Sequence, residues 1–258
     1  YDYNVSGVLG LRETERTYRH KFGYSLGYTR TDFQMDGTND EDQANTIQLG
    51  LHNTYSVNGW NMKNDLLGRV SFHDVDRSVN WSDGTMSKLN SDYNVYGVSS
   101  LNELGKDLEV SKNIKLVPYV GLELGYAVHS SFEEKGSSES LKVESNDSYS
   151  IKPNIGVRLE GEKEFGATSS WKVKGNVGVG YGYELGNMNN QEKASLSIIE
   201  DGYHNLAKPV EDKGEIKTSG YIGVELKETY GVYVTGEYGI GNDNKEDYKA
   251  GIELKASF

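Results

Sequence analysis

The chain has 258 residues, a formal charge of -12, 31 glycines, 19 tyrosines, three prolines and no cysteine, and its hydrophobic fraction is 35%. The acidic balance excludes a general nucleic-acid binder, which needs a basic stripe to neutralise phosphates, and the lack of cysteine excludes a disulfide framework and thiolate metal sites. No apolar run is long enough to span a bilayer as a helix, yet the mean hydropathy of -0.67 leaves a membrane barrel open, because half of each barrel strand faces water.

From the first residues onward the dominant pattern is strict alternation, the period of a β-strand. Val5, Gly7, Leu9 and Leu11 oppose Asn4, Ser6, Gly10 and Arg12, and Phe22, Tyr24, Leu26 and Tyr28 oppose Lys21, Gly23, Ser25, Gly27 and Thr29. A third apolar stripe is Ile47, Leu49, Leu51, Tyr55 and Val57, a fourth is Met62, Leu66, Val70 and Phe72, and a less regular run covers Tyr93 to Leu108. The longest places Ile114, Leu116, Pro118, Val120, Leu122, Leu124, Tyr126 and Val128 against Lys115, Tyr119, Gly121, Glu123 and Gly125. Next come Ile151 to Leu159, with Arg158 and Gly156 on the polar face, and Trp171 to Tyr183, with Gly178 and Gly180 on it. A short run, Ala194 to Ile199, precedes Ile222, Val224 and Leu226, then Val232 to Ile240, and finally KAGIELKASF (249–258). About a dozen segments result, each near the ~9–11 residues that a tilted strand needs to cross a bilayer.

Polar, turn-rich pieces separate the runs: DGTNDEDQAN (36–45), EEKGSSESLKVESND (133–147), EDGYHNLAKPVEDKGE (200–215) and GNDNKED (241–247). No heptad pattern or composition break divides the chain, which is therefore expected to form one domain over residues 1–258. Counting strands in this way sends the connections 133–147 and 199–215 to opposite sides, unless a strand near Leu141 to Val143 intervenes.

Alternating strands suit either a soluble sandwich with its apolar face inside or a membrane barrel with that face outside. The polar face favours the barrel. It carries Gly121, Glu123, Gly125, Gly156, Arg158, Gly178, Gly180, Gly223, Glu225 and Glu253, and glycine weakens a strand unless room is needed beside it. These ten are expected to line a lumen. Tyr18, Tyr28, Tyr55, Trp60, Tyr93, Tyr126, Tyr149, Trp171 and Tyr183 near the ends of runs suit interfacial girdles, although tyrosine is also a good strand residue.

LVPYVGLELGY (116–126), SIKPNIGVRLEGE (150–162) and the final KAGIELKASF together resemble the C-terminal translocator (β) domain of monomeric autotransporters, the type V secretion systems of Gram-negative outer membranes. That resemblance implies an all-β, antiparallel up-and-down transmembrane barrel of about 12 strands. It also implies a covalently linked N-terminal passenger, joined by a helix through the lumen, and no cofactor. Both passenger and helix are expected to be missing from this chain, since Tyr1 leads directly into a strand. Lys249, Gly251, Ile252, Leu254 and Phe258 resemble the signal read by the barrel-assembly machinery, on a last strand that closes against the first. The expected partners are outer-membrane lipid, that machinery and the passenger, with the barrel itself a monomer that binds no nucleic acid. A passive pore for small solutes is the alternative function, and a soluble β protein the alternative fold.

Enzymatic signals are weak. Ser71, His73, Asp74 and Asp76 suggest a triad, but His73 and Asp74 are adjacent in an alternating strand and face opposite sides. VGVGYG (177–182) has no following helix to complete a phosphate loop, and DGTNDEDQ (36–43) lacks the twelfth-position Glu and flanking helices of a regular calcium loop. The five histidines show no ligand spacing. No catalytic or metal site is therefore expected.

Overall fold

The computed structural model describes the chain except for residues 1, 18, 36, 37, 39, 167–169, 188, 189, 199–201, 207–212, 228, 243–245, 257 and 258. Among the described residues the fold is all strand and turn. Eleven long strands follow one another in an antiparallel meander: β1 (Asp2–Thr17), β2 (His20–Gln34), β3 (Glu41–Val57), β4 (Trp60–Asn80), β5 (Met86–Lys106), β7 (Ile114–His129), β10 (Asn146–Phe165), β11 (Trp171–Tyr183), β14 (Gly214–Leu226), β15 (Tyr230–Gly241) and β16 (Glu246–Ala256). A short β6 (Leu108–Ser111) pairs beside β7. Four further pieces, β8 (Phe132–Glu133), β9 (Leu141–Val143), β12 (Lys193–Leu196) and β13 (His204–Asn205), form a second small sheet.

The connections divide by length between the two ends. At one end lie tight turns such as Asn58–Gly59, where positive φ angles of 50° and 75° give the mirror-image hairpin turn that an Asn-Gly pair favours. The other end carries the connections 130–145 and 184–213. These two long connections thus share one side, contrary to the sequence count. The run from Ala194 does not span; its described part contains β12, which pairs with β9 at Leu141–Val143. Removing that false strand restores the parity.

Which face looks outward is settled by exposure. Leu26, Ile155, Ile222, Val224, Ile252 and Leu254 are bare, the last two at 76% and 77%, while the sequence neighbours Ser25, Gly223 and Glu225 are buried on the opposite face. The folded chain exposes 16801 Å² at 28.7 kDa, where a compact monomer of that mass would expose roughly 11,000 Å². A sandwich would have hidden the apolar stripes between its sheets. Here both faces of a curled sheet are open, and the apolar one is outermost.

Strand β1 departs from the rule. Its register sets Leu9 against Gly27 and Leu11 against Ser25, so the apolar set Val5, Leu9 and Leu11 turns to the inner face and Arg12 lies beside outward Tyr24. Because the side-chain period is two, a one-residue choice of register inverts a whole strand. No backbone ladder joins β1 to β16 among the described residues; the two strands meet through Tyr3 Oη, which donates to Asp247 Oδ1 at 2.6 Å. With eleven strands on the path they also run in the same direction, so an antiparallel closing pair is not formed among the described residues.

Candidate functional site: the lumen wall

The inner face is built by side chains that lie along the wall and glycines that make room for them. Arg158 on β10 reaches across β7 to Glu103 on β5, with Nη1 and Nη2 donating to the two carboxylate oxygens at 2.7 and 2.6 Å. Its guanidinium stands 4.6 Å over the ring of Tyr119. Tyr119 in turn occupies the space left by Gly156 and Gly180: a Cβ at Gly180 would lie 2.6 Å from the tyrosine hydroxyl. Gly178 is spaced in the same way against the stem of Arg158, Gly121 against Asn154, and Gly223 against the ring of Tyr233. The glycines therefore serve close packing of lumen side chains, which is the room that the polar-face pattern demanded.

A second cluster sits near the short-turn end. Glu225, 1% exposed, accepts from Lys255 at 2.7 Å and from the Tyr233 hydroxyl, and lies 3.1 Å from Lys174. A buried carboxylate without such partners would carry a large desolvation penalty; two ammonium groups and a phenol offset it, with both hydrogen bonds falling on Oε1, and Oε2 facing only the Lys174 charge. The neighbouring cavity, about 500 Å³, is lined by Glu15, Lys21, Lys174, Glu225, Lys227, Thr229 and Lys255. Lysines prevail there.

At the long-connection end the small sheet packs against the inner wall. Phe132 stacks on Tyr93 at 4.8 Å and Tyr93 on His73 at 4.5 Å. Arg77 holds the buried Glu134 through two hydrogen bonds of 2.7 and 2.6 Å, His129 pairs with Glu192 at 3.0 Å, and the backbones of Asn90 and Lys135 exchange a pair of bonds. Strands β4 and β5 have 21 residues each, about twice what a membrane crossing needs, so their upper ends stand clear to receive this sheet. Glu184, just beyond β11, joins the same end. Burial raises its carboxyl, but bonds from Ser150 and the amides of Ile151 and Gly186 hold it below the ordinary glutamate range.

The ten residues expected in the lumen, Gly121, Glu123, Gly125, Gly156, Arg158, Gly178, Gly180, Gly223, Glu225 and Glu253, all lie at inner-face positions of the register. Of the girdle residues, Tyr55, Trp60 and Trp171 are exposed near the short turns, and Tyr126, Tyr149 and Tyr183 near the long connections. Tyr93 is a correction: it points inward, into the aromatic stack. Tyr18 lies outside the described residues, as does Phe258. Within the C-terminal strand, Ile252 and Leu254 face outward and Gly251 inward, and Lys249 donates to Glu237 at 3.0 Å. Ser71 bonds Thr46 and His73 bonds Asp42 rather than Asp74, while VGVGYG is continuous strand within β11. Glu103 and Tyr233 were not legible as site residues, because each acquires its partner only when strands come together.

The profile of the family described as Autotransporter beta-domain matches residues 1–237. Among solved structures, the translocator domain of autotransporter NalP from Neisseria meningitidis aligns with a TM-score of 0.72 at 12% identity, covering 99% of this chain and 82% of that one. The beta domain of the Bordetella autotransporter BrkA gives 0.69 at 17% identity, covering 99% and 91%. No curated protein matches the sequence. With a hollow sheet, an apolar exterior, a charged inner wall and a family match over nearly the whole length, the chain belongs to the autotransporter beta-domain family.

Proposed function

We infer that this chain is an outer-membrane β-barrel that translocates an N-terminal passenger and anchors it at the cell surface. The observation that carries the inference is the family match over residues 1–237, supported by an exterior of exposed Leu, Ile, Val and Tyr that only lipid can cover at low cost. A passive pore is not favoured, because the family is one of translocators. The passenger is covalently continuous with the chain's N-terminal side, and its connecting segment passes through the lumen while the barrel works as a monomer. Within the lumen, Arg158 and Glu225 are already charge-paired, with Glu103 and with Lys174 and Lys255; they stiffen the wall. Glu253, and Glu123, to which among the described residues only the Asn154 amide donates, at 3.2 Å, present acidic groups to the connecting segment instead.

Lys249, Gly251, Ile252, Leu254 and Phe258 serve as the signal for the barrel-assembly machinery. A strand edge is a template for pairing, and among the described residues β16 is laddered on one side, to β15. The test is membrane insertion of the chain with and without Phe258, read as heat-modifiable gel mobility. Loss of the compact band on deletion, with unaided refolding in detergent preserved, is the expected result. Insertion unchanged by the deletion would remove the signal role, and a chain that folds in plain buffer would overturn the membrane assignment itself.

A further inference from the structure

Three inner-face residues on consecutive strands form a hydrogen-bonded series that the translocator role does not use. Ser25 Oγ on β2 lies 2.7 Å from Nε2 of His52 on β3, and His52 Nδ1 lies 2.8 Å from Oδ1 of Asp65 on β4. The register accounts for the grouping: His52 is directly opposite both Gly23 and Asp65, and Ser25 is opposite Gly50. Gly50 keeps the serine and histidine in contact, since a Cβ there would press on Ser25 Oγ, come within 2.7 Å of Leu67 Cδ2 and within 2.9 Å of His52 Nε2. The Asp65 carboxylate accepts the Nδ1 proton, which leaves Nε2 free to accept from the serine hydroxyl. That is the tautomer a general base requires. Ser25 is 3% exposed, while the side chains of His52 and Asp65 are 20% and 29% exposed to the lumen.

We propose that Ser25 is an activated nucleophile, with His52 as its general base and Asp65 as the positioning residue, and that it accepts an acyl group from an activated carboxylic ester in the lumen. As the bond from Oγ to the acyl carbon forms, the serine proton passes to His52 Nε2. The ester C–O bond then breaks, and the departing oxygen takes that proton, giving acyl-Ser25 and an alcohol or phenol. Strands β2 and β3 are laddered on both sides, so their amides are committed to the sheet and supply no backbone oxyanion donors. One such donor is worth about 10²–10³ in rate. Acylation is accordingly slow, and covalent modification of Ser25 is the quantity to read. The proposal is independent of passenger export.

The experiment is labelling of the full barrel, refolded in detergent and shown to be folded by its heat-modifiable mobility, with a fluorophosphonate probe and separately with p-nitrophenyl acetate. Peptide mass spectrometry locates the adduct. Expected is one adduct on Ser25, absent in Ser25→Ala and slowed roughly 100-fold in His52→Gln. Asp65→Asn is expected to slow it as well, with recovery in Asp65→Glu. An unlabelled Ser25 in a folded barrel overturns the proposal, and so does labelling that His52→Gln leaves intact. Should His52→Gln fail to fold, Ser25→Cys decides: a thiol alkylated by iodoacetamide no faster than free cysteine would overturn it, and one markedly faster would support it.

Discussion

Gly180→Ala is the substitution whose outcome follows most directly from the wall geometry. The new Cβ would stand 2.6 Å from the Tyr119 hydroxyl, with Ile155 O at 3.3 Å and the tyrosine Cζ at 3.6 Å beyond it. A comfortable contact needs about 3.4 Å or more, so the ring must retreat by roughly 0.8 Å. In doing so it leaves its place beneath Arg158, 4.6 Å from the guanidinium. Overpacking of this size costs about 1–3 kcal/mol, and loss of part of the cation–π contact adds about 0.5 kcal/mol. Removing only the hydroxyl, by Tyr119→Phe, takes away the offending atom and leaves the ordinary Cζ contact. In that background Gly180→Ala is expected to be neutral, or to stabilise by up to about 1 kcal/mol by restricting the unfolded chain. The assay is a double-mutant cycle on urea unfolding in lipid vesicles, followed by tryptophan fluorescence. A coupling energy of about 1.5 kcal/mol or more is predicted. Equal destabilisation by Gly180→Ala in the wild-type and Tyr119→Phe backgrounds would refute the claim that this glycine exists to seat the tyrosine.

Three other outcomes follow. Leu26→Arg, at a position 58% exposed in the middle of β2, should cost about 2–4 kcal/mol in vesicles; a change within about 0.5 kcal/mol, as on a water-facing surface, would show that this face does not meet lipid. Glu225→Gln leaves Lys174 and Lys255 without a counter-charge beside a side chain 1% exposed, and should lower stability by about 3 kcal/mol, measured as a shift of the urea midpoint. Glu184 has a carboxyl held below its ordinary range, so its contribution is fully present above the unfolded value of about 4.3 and is lost as the pH falls through the folded one. Glu184→Gln should therefore cost about 1–2 kcal/mol at neutral pH, and that gap to wild type should close on acidification below about pH 4. A gap that persisted there would show that the side chain acts through its shape.

The strands and the orientation of most of them were legible in the alternation, because a period of two can be read along a single chain and hydrophobicity decides which half meets lipid. The inward places of Arg158, Glu225 and the glycines followed from the same period. Three kinds of fact required the tertiary structure. Register decided the partners: Arg158 meets Glu103, and Ser25 meets His52 and Asp65, only because hydrogen-bonded ladders bring β2 to β10 side by side, and nothing in local spacing encodes a ladder offset. Connectivity decided that the segment from Ala194 is a loop hairpin and not a wall strand, since a short apolar run fits either until β9 claims it. Pairing at the sheet edge decided the fate of β1, whose Leu9 and Leu11 turn inward against Gly27 and Ser25. An edge strand has a neighbour on one side, so its pairing with β2 outweighs its own preference for lipid. Composition and period thus determined that a barrel wall exists and which face of most strands looks inward, while the orientation of β1 and the contacts that give the interior its chemistry arise from strand-to-strand register.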